Sequence, residues 1–138
     1  MPKNIDLTSN LEQYIIEHST DLSNIQQEII NYNKSLGDKQ RLQISISQAQ
    51  FLQILIESLK IKKILEIGSF TGFSALSMSL ALPKDGLLIS LDKDKEISKI
   101  AKSFYVKARE TKIKQIIKPA LESLKELKNS NNYFDLVF

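Results

Sequence analysis

Two acids and two glycines carry the clearest chemical signal in this 138-residue sequence. The run Glu66-Ile-Gly68-Ser-Phe-Thr-Gly72 closes a short apolar stretch, Lys63-Ile-Leu-Glu-Ile67, and opens a helical one. Glycine at a strand-to-helix turn lets a ligand approach the backbone. The helix N-terminus behind it offers free N–H groups and a positive dipole end. A dinucleotide-type loop reads G-x-G-x-x-G, and here Phe70 stands in place of the middle glycine. A bulky residue hinders close approach of a pyrophosphate. A smaller ligand with a carboxylate and an amine suits the loop better, with Glu66 as the acceptor for an ammonium group. Asp92 ends a second apolar run, Leu87–Leu91, 24 residues beyond Gly68. An acid about 20 residues on is where such sheets hold a ribose diol, and its charge disfavours a 2′-phosphate. Each acid also has a plainer reading. Asp92 alone is a turn residue before Lys93, and Glu66 alone is a solvated strand-end carboxylate. The glycine loop and the shared spacing favour the ligand reading for both, and an acid inside Ile-Leu-Glu-Ile-Gly needs a partner.

The remaining chemical residues read as structural. His18 is the only histidine and has no serine or acidic partner near it in sequence. Lys95, Lys99 and Lys102 form a solvated helix face, Asp135 makes a structural hydrogen bond early in a strand, and Phe104 and Tyr105 are core and rim. No catalytic side chain is assigned.

The elements that position the loop follow from periodicity. Ser9 and Glu12 match a capping box, so a helix starts near Leu11, with Leu11, Tyr14, Ile15 and His18 on one face. Leu22, Ile25, Ile29 and Leu36 mark a second helix that stops at Gly37. Asp38–Ile46 is a polar connection. Ser47 and Gln50 open a helix to about Lys60; it is apolar on most sides, which predicts burial between layers. Lys63–Ile67 is a strand, followed by a helix to Leu82 and a Pro83–Gly86 turn. Leu87–Leu91 is a second strand. Asp94 caps a helix with Ile97, Ile100, Ala101, Phe104 and Ala108 on its core face. Ile113–Lys118 is a third strand. Pro119 opens a helix striped by Leu121, Leu124 and Leu127, Asn129–Asn132 is a loop, and Tyr133–Phe138 is a fourth strand.

Helices followed by β-α-β-α-β-α-β imply an α/β open parallel sheet, since parallel neighbours need crossover connections. The expected division is an N-terminal helical segment, 1–46, and a ligand-binding unit, 47–138. A strand as the last element reads as a sheet cut short after its fourth strand, with a C-terminal edge strand as the alternative. Apolar groups on both faces of Tyr133–Phe138 then predict homodimerisation or self-association through that edge.

Composition excludes several classes. No cysteine means no disulfide scaffold, no thiolate metal site and no cysteine nucleophile. The net charge of +3 comes from lysines spread along the chain, with arginine only at Arg41 and Arg109, which argues against a nucleic-acid surface. The longest uncharged stretch, Ile67–Pro83, holds two glycines and five Ser or Thr, so no membrane span is expected. Met1–Thr20 reads as no secretory signal. Together these point to the cytoplasm.

Leu65-Glu-Ile-Gly-Ser-Phe-Thr-Gly-Phe-Ser-Ala-Leu76 resembles the first motif of S-adenosylmethionine-dependent O-methyltransferases of the caffeoyl-CoA and catechol type. Leu42-Gln-Ile-Ser45 with Gln50-Phe-Leu52, Ala81–Gly86, Pro119–Leu124 and Tyr133–Phe138 resemble later and flanking segments of that family, in order. The resemblance implies a Rossmann-like methyltransferase sheet in which strand four lies beside strand one. It implies that Glu66, Gly68 and Ser69 hold the methionine part of the cofactor, with Ser74 nearby, and that Asp92 binds the ribose. Ala120 would lie against adenine and Ile44 would close over the cofactor. Packing or capping is the plainer reading of Ile44, Ser74 and Ala120. The implied function is methyl transfer to a hydroxyl of a small catechol-like acceptor. In the family a divalent metal and a catalytic lysine come from residues after strand four. This sequence ends at Phe138, so a truncated or split form without transfer by the chain alone is expected. An inactive cofactor-binding or scaffold remnant is the rival, and a nucleotide-binding oxidoreductase a weaker one. Phe73 and Leu42 depart from the family's usual Tyr and Met.

Overall fold

A computed structural model describes residues 8–130 and 133–138. Four parallel strands, β1 (Lys63–Ile67), β2 (Leu87–Asp92), β3 (Ile113–Ile117) and β4 (Leu136–Val137), form one sheet in the order β3-β2-β1-β4. The helices are α1 (Ser9–Glu17), α2 (Asn24–Lys34), α3 (Ile46–Ser58), α4 (Phe73–Ala81), α5 (Lys95–Lys107) and α6 (Ala120–Asn129). The strand order reverses at β1, because β2 leaves on one side of it and β4 returns on the other. The crevice beyond the carboxyl end of β1 is therefore a topological switch point, where open α/β sheets take ligands.

Alternation along β1 sends its side chains to two layers. Ile64 joins the main core with Ile29, Ala49, Leu52, Ile56, Phe73, Leu76, Met78 and Ala101, contributed by α2 to α5. Leu65 points the other way, to Ile89 and Leu91, under Ala120, Leu124 and Leu127 of α6. The register pairs Leu65 with Ile89 and Glu66 with Ser90. Glu66 therefore lies on the Ile64 face, beneath α4 and α5, with Ser90 directly beside it.

Several boundaries differ from the sequence reading. The cap of α1 is Thr8, whose Oγ1 accepts from Leu11 N, rather than Ser9. No residue of α1 is buried, so its Leu11 and Tyr14 face is only partly covered. The capping box of α2 is Ser23 with Gln26. The cap of α3 is Ser45, which accepts from Gln48 N, rather than Ser47. The expected polar connection contains a 3-10 helix, Gly37–Leu42. The expected burial of α3 between layers is met on one side only. Ala49, Leu52 and Ile56 face the core, while Phe51, Ile54 and Leu59 are exposed. The stripe of α6 is Leu124 and Leu127, with Leu121 66% exposed. Only Leu136–Val137 of the expected fourth strand forms regular ladder, although Asp135 N, Phe138 N and Ile67 N extend the pairing with β1. The loop expected at Asn129–Asn132 starts within α6, and its residues 131–132 lie outside the described residues.

Other expectations hold. Asp94 caps α5 by accepting from Glu96 N and Ile97 N. The Pro83–Gly86 turn closes through Gly86 N to Pro83 O at 2.9 Å. Asp135 Oδ2 accepts from Lys62 N at 2.9 Å and Lys63 N at 2.8 Å, and these backbone donors hold its carboxyl below the usual range. His18 stacks on Tyr14 and hydrogen-bonds through Nδ1 with Tyr14 O, a local helix contact.

Candidate functional site

The turn after β1 is held by its backbone before any ligand arrives. Gly68 N donates to Leu91 O at 2.8 Å, and Gly72 N to Ser69 O at 2.9 Å. Both glycines have positive φ, +95° and +89°. Between them Phe70 also takes a left-handed conformation, φ +47°. For a non-glycine residue that costs about 1–2 kcal/mol, a strain that accumulates at functional turns.

Asp92 fastens this turn. Its Oδ2 accepts from Ser69 N at 3.0 Å, Ser69 Oγ at 3.3 Å and Phe70 N at 3.1 Å, and its Oδ1 accepts from Asp94 N at 3.0 Å. One carboxylate thus joins the end of β2 to the glycine loop and to the start of α5. A carboxylate has about four acceptor sites, so Oδ1 keeps capacity for a ligand hydroxyl. Asp92 is thus the buckle between the two strand ends and α5.

Glu66 is fully buried. Ser74 Oγ, from the first turn of α4, donates to its Oε1 at 2.5 Å, and Ser90 Oγ donates to Oε2 at 2.5 Å. Loss of solvent pushes the Glu66 carboxyl up to about 7; the two serine hydroxyls oppose this and the Asp92 charge adds to it. Tyr105, from α5, completes the surroundings. Its ring lies against Gly72, its hydroxyl is buried without a partner among the described residues, and burial next to Glu66 and Asp92 holds that hydroxyl well above the usual tyrosine range.

Two cavities meet at Gly68. The larger, about 440 Å³, is lined by Lys39, Leu42, Gly68, Phe70, Asp92, Asp94 and Ile97. The smaller, about 50 Å³, has Ile44, Gly68, Ser69, Phe70 and Ser74 among its walls. A Cβ built on Gly68 meets nothing within 4 Å, so the missing side chain leaves open space at the backbone. The fold thus gathers Ile44, Gly68, Ser69, Ser74 and Asp92 at one crevice. Glu66 sits behind it and reaches it through Ser74. Ala120 packs on the opposite face with Leu65 and Ile89 and lines neither cavity.

Four residues at the site escape a sequence reading: Lys39, Phe70 as a cavity wall, Ser90 and Tyr105. Lys39 falls in a 3-10 turn that its polar composition hides. Ser90 is recognisable only once the β1–β2 register puts it opposite Glu66. Among the described residues no group of three or more His, Cys, Asp or Glu is placed to hold a metal ion.

A parallel sheet with a glycine loop at its switch point and an acid at the end of the next strand is the arrangement at which open α/β sheets take ligands. A family profile described as O-methyltransferase matches residues 16–138, and the chain belongs to that family. "Probable caffeoyl-CoA O-methyltransferase 2" of Dictyostelium discoideum is 33% identical over 137 residues, 97% of this chain and 59% of that one. The O-methyltransferase TomG of Streptomyces achromogenes, solved in complex with SAM, superposes with a TM-score of 0.84 at 25% identity over 94% of this chain and 58% of that one. An O-methyltransferase of Bacillus cereus in complex with SAH gives a TM-score of 0.81 at 25% identity, covering 94% and 59%. The chain spans somewhat under 60% of the length of these relatives. The family and the sheet order agree with the resemblance seen in the sequence.

Proposed function

We propose that this chain binds S-adenosylmethionine and its demethylated product, S-adenosylhomocysteine, in the crevice at Gly68, as part of an O-methyltransferase acting on a hydroxyl of a small acceptor. The observation that carries the reading is the junction of the two cavities at a glycine whose side-chain direction is empty, with Ser74 on one side and Asp92 on the other. In this reading the methionine end lies toward the smaller cavity, against Ser69, Ser74 and Ile44. The nucleoside fits the larger one, with its ribose hydroxyls on Asp92 Oδ1. When bound, the cofactor supplies a methyl group on a sulfonium. The residues here bind and orient it, and a loop already held by hydrogen bonds lowers the entropic cost of that alignment. Ala120 reaches adenine only if the ring extends past Asp92 to the α6 side. No described cluster fits a divalent metal, so no step is assigned to one. Cytoplasmic placement belongs to the same reading. It is supported by the absence of cysteine and by the fact that no described helix is long and apolar enough to cross a membrane.

Isothermal titration with S-adenosylhomocysteine tests the reading, with NAD as the competing ligand. Asp92→Asn keeps an oxygen for the loop N–H groups but loses the charge and brings an amide against Ser69 or Asp94. Losing one charge-assisted acceptor costs about 1.5–3 kcal/mol, so S-adenosylhomocysteine is expected to bind Asp92→Asn about 10- to 150-fold more weakly. Equal binding by the variant, or tighter binding of NAD, contradicts the assignment.

A further inference from the structure

A separate cavity of about 320 Å³ lies where the end of α1 meets α3 and α4, and it shares no wall residue with the Gly68 crevice. That volume is at the lower end of small-molecule sites. We propose that this cavity is a second binding site, for a small organic cation of the alkylguanidinium class, held by hydrogen-bond acceptors of α1 and α3 and by the Glu57 carboxylate.

The wall is acceptor-rich because of where its own donors go. A main-chain carbonyl only accepts, so each contact with one fixes which side-chain atom donates. His18 Nδ1 donates to Tyr14 O at 2.8 Å and Ser19 Oγ to Ile15 O at 2.6 Å. Gln50 Nε2 donates to Thr20 O at 2.9 Å and Gln53 Nε2 to Ser77 O at 3.0 Å. A neutral imidazole then has Nε2 left as an acceptor, and the serine has its lone pairs. Both glutamines turn their amide nitrogens to the main chain, which leaves the oxygen as the other arm. Gln50 is only 7% exposed, and its Oε1 is buried with no partner among the described residues. A buried acceptor left unpaired costs stability, and a ligand N–H that reaches it removes the cost.

Charge points the same way. Glu57 is exposed and takes part in no ion pair among the described residues. No Lys or Arg lines the cavity, although the chain has 19. Gln50 and Thr20 also border a neighbouring cavity of about 400 Å³, whose one charged wall residue is the acid Asp21. An anion would therefore meet repulsion without a countercharge. A guanidinium carries five N–H donors and no acceptor, and it pairs with a carboxylate through two parallel bonds. Ile54 and Leu80, both exposed, give the alkyl part an apolar surface.

Titration of the whole chain at pH 7, followed through its backbone amide shifts, tests the site with three probes. n-Butylguanidinium has charge and N–H donors, n-butylurea has donors without charge, and tetramethylammonium has charge without donors. n-Butylguanidinium is expected to give saturable shifts at Ser19, Thr20, Gln53 and Glu57 with a millimolar midpoint. It should bind about tenfold more tightly than either control, since charge-assisted hydrogen bonds are roughly twice as strong as neutral ones. Glu57→Gln, a change at an exposed position, is expected to weaken it about tenfold. The proposal is overturned by the absence of saturable shifts at these amides, by either control binding as tightly as n-butylguanidinium, or by unchanged affinity in Glu57→Gln. The comparison of probes on the wild type decides the matter even if the variant fails to fold. None of these outcomes bears on S-adenosylhomocysteine at Gly68.

Discussion

Gly72→Ala is expected to cost about 2–5 kcal/mol of stability, a large part of the 5–15 kcal/mol that holds a domain folded. Two effects add. The residue has φ +89°, a conformation that a side chain makes unfavourable. Its new Cβ would lie 2.5 Å from Tyr105 Oη and 2.6 Å and 2.7 Å from Cε1 and Cζ. Tyr105 is only 4% exposed, so moving its ring would disturb packed neighbours. Gly68→Ala is the internal comparison. Its φ is +95°, but its Cβ would meet nothing. It is expected to lose only the backbone part, about 1–2 kcal/mol, while placing a methyl in the ligand cavity. Urea unfolding of both variants, repeated on a Tyr105→Leu background, separates the terms. The steric part of the Gly72→Ala loss should shrink there, and equal losses at the two glycines would contradict the packing argument.

Glu66→Gln is expected to flatten the stability profile between pH 5 and pH 8. In the folded chain burial lifts the Glu66 carboxyl from 4.5 to about 7. Between those values the folded state holds a proton that the unfolded state has released. Stability therefore falls as pH rises through this window and levels off above it. The full span is at most about 3 kcal/mol. Glutamine carries no charge, so the variant lacks this slope and gains relative to wild type at pH 8. Groups away from Glu66 titrate alike in both proteins and cancel in the difference. Urea unfolding at pH 5 and pH 8 gives that difference, and a wild-type-to-variant gap that is the same at both pH values would contradict it.

The fold was largely legible because its signals are local. A strand run ending in glycine, an aspartate two residues past the next strand that caps α5, and alternating strand and helix periods needed no distant information. The misreadings share a different cause. Ser45 with Gln48 and Ser47 with Gln50 both match a capping box, and only packing selects the first; Gln50 Nε2 instead donates to Thr20 O at 2.9 Å. Phe51, Ile54 and Leu59 are apolar, but hydropathy cannot say which side of α3 meets the core. At the site, Glu66, Gly68 and Asp92 announce themselves by spacing along the chain. Ser90 and Tyr105 do not, because their neighbours in space lie 24 and 33 residues away, at Glu66 and Gly72.

Mapping S-adenosylhomocysteine onto the backbone amides by NMR titration tests the central claim most directly. Binding in the crevice predicts saturable shifts at Ile44, Gly68, Ser69, Phe70, Ser74 and Asp92, all in slow or fast exchange with one midpoint. Absence of any shift, or shifts confined to the separate cavity lined by His18, Gln53 and Glu57 between α1 and α3, would contradict it.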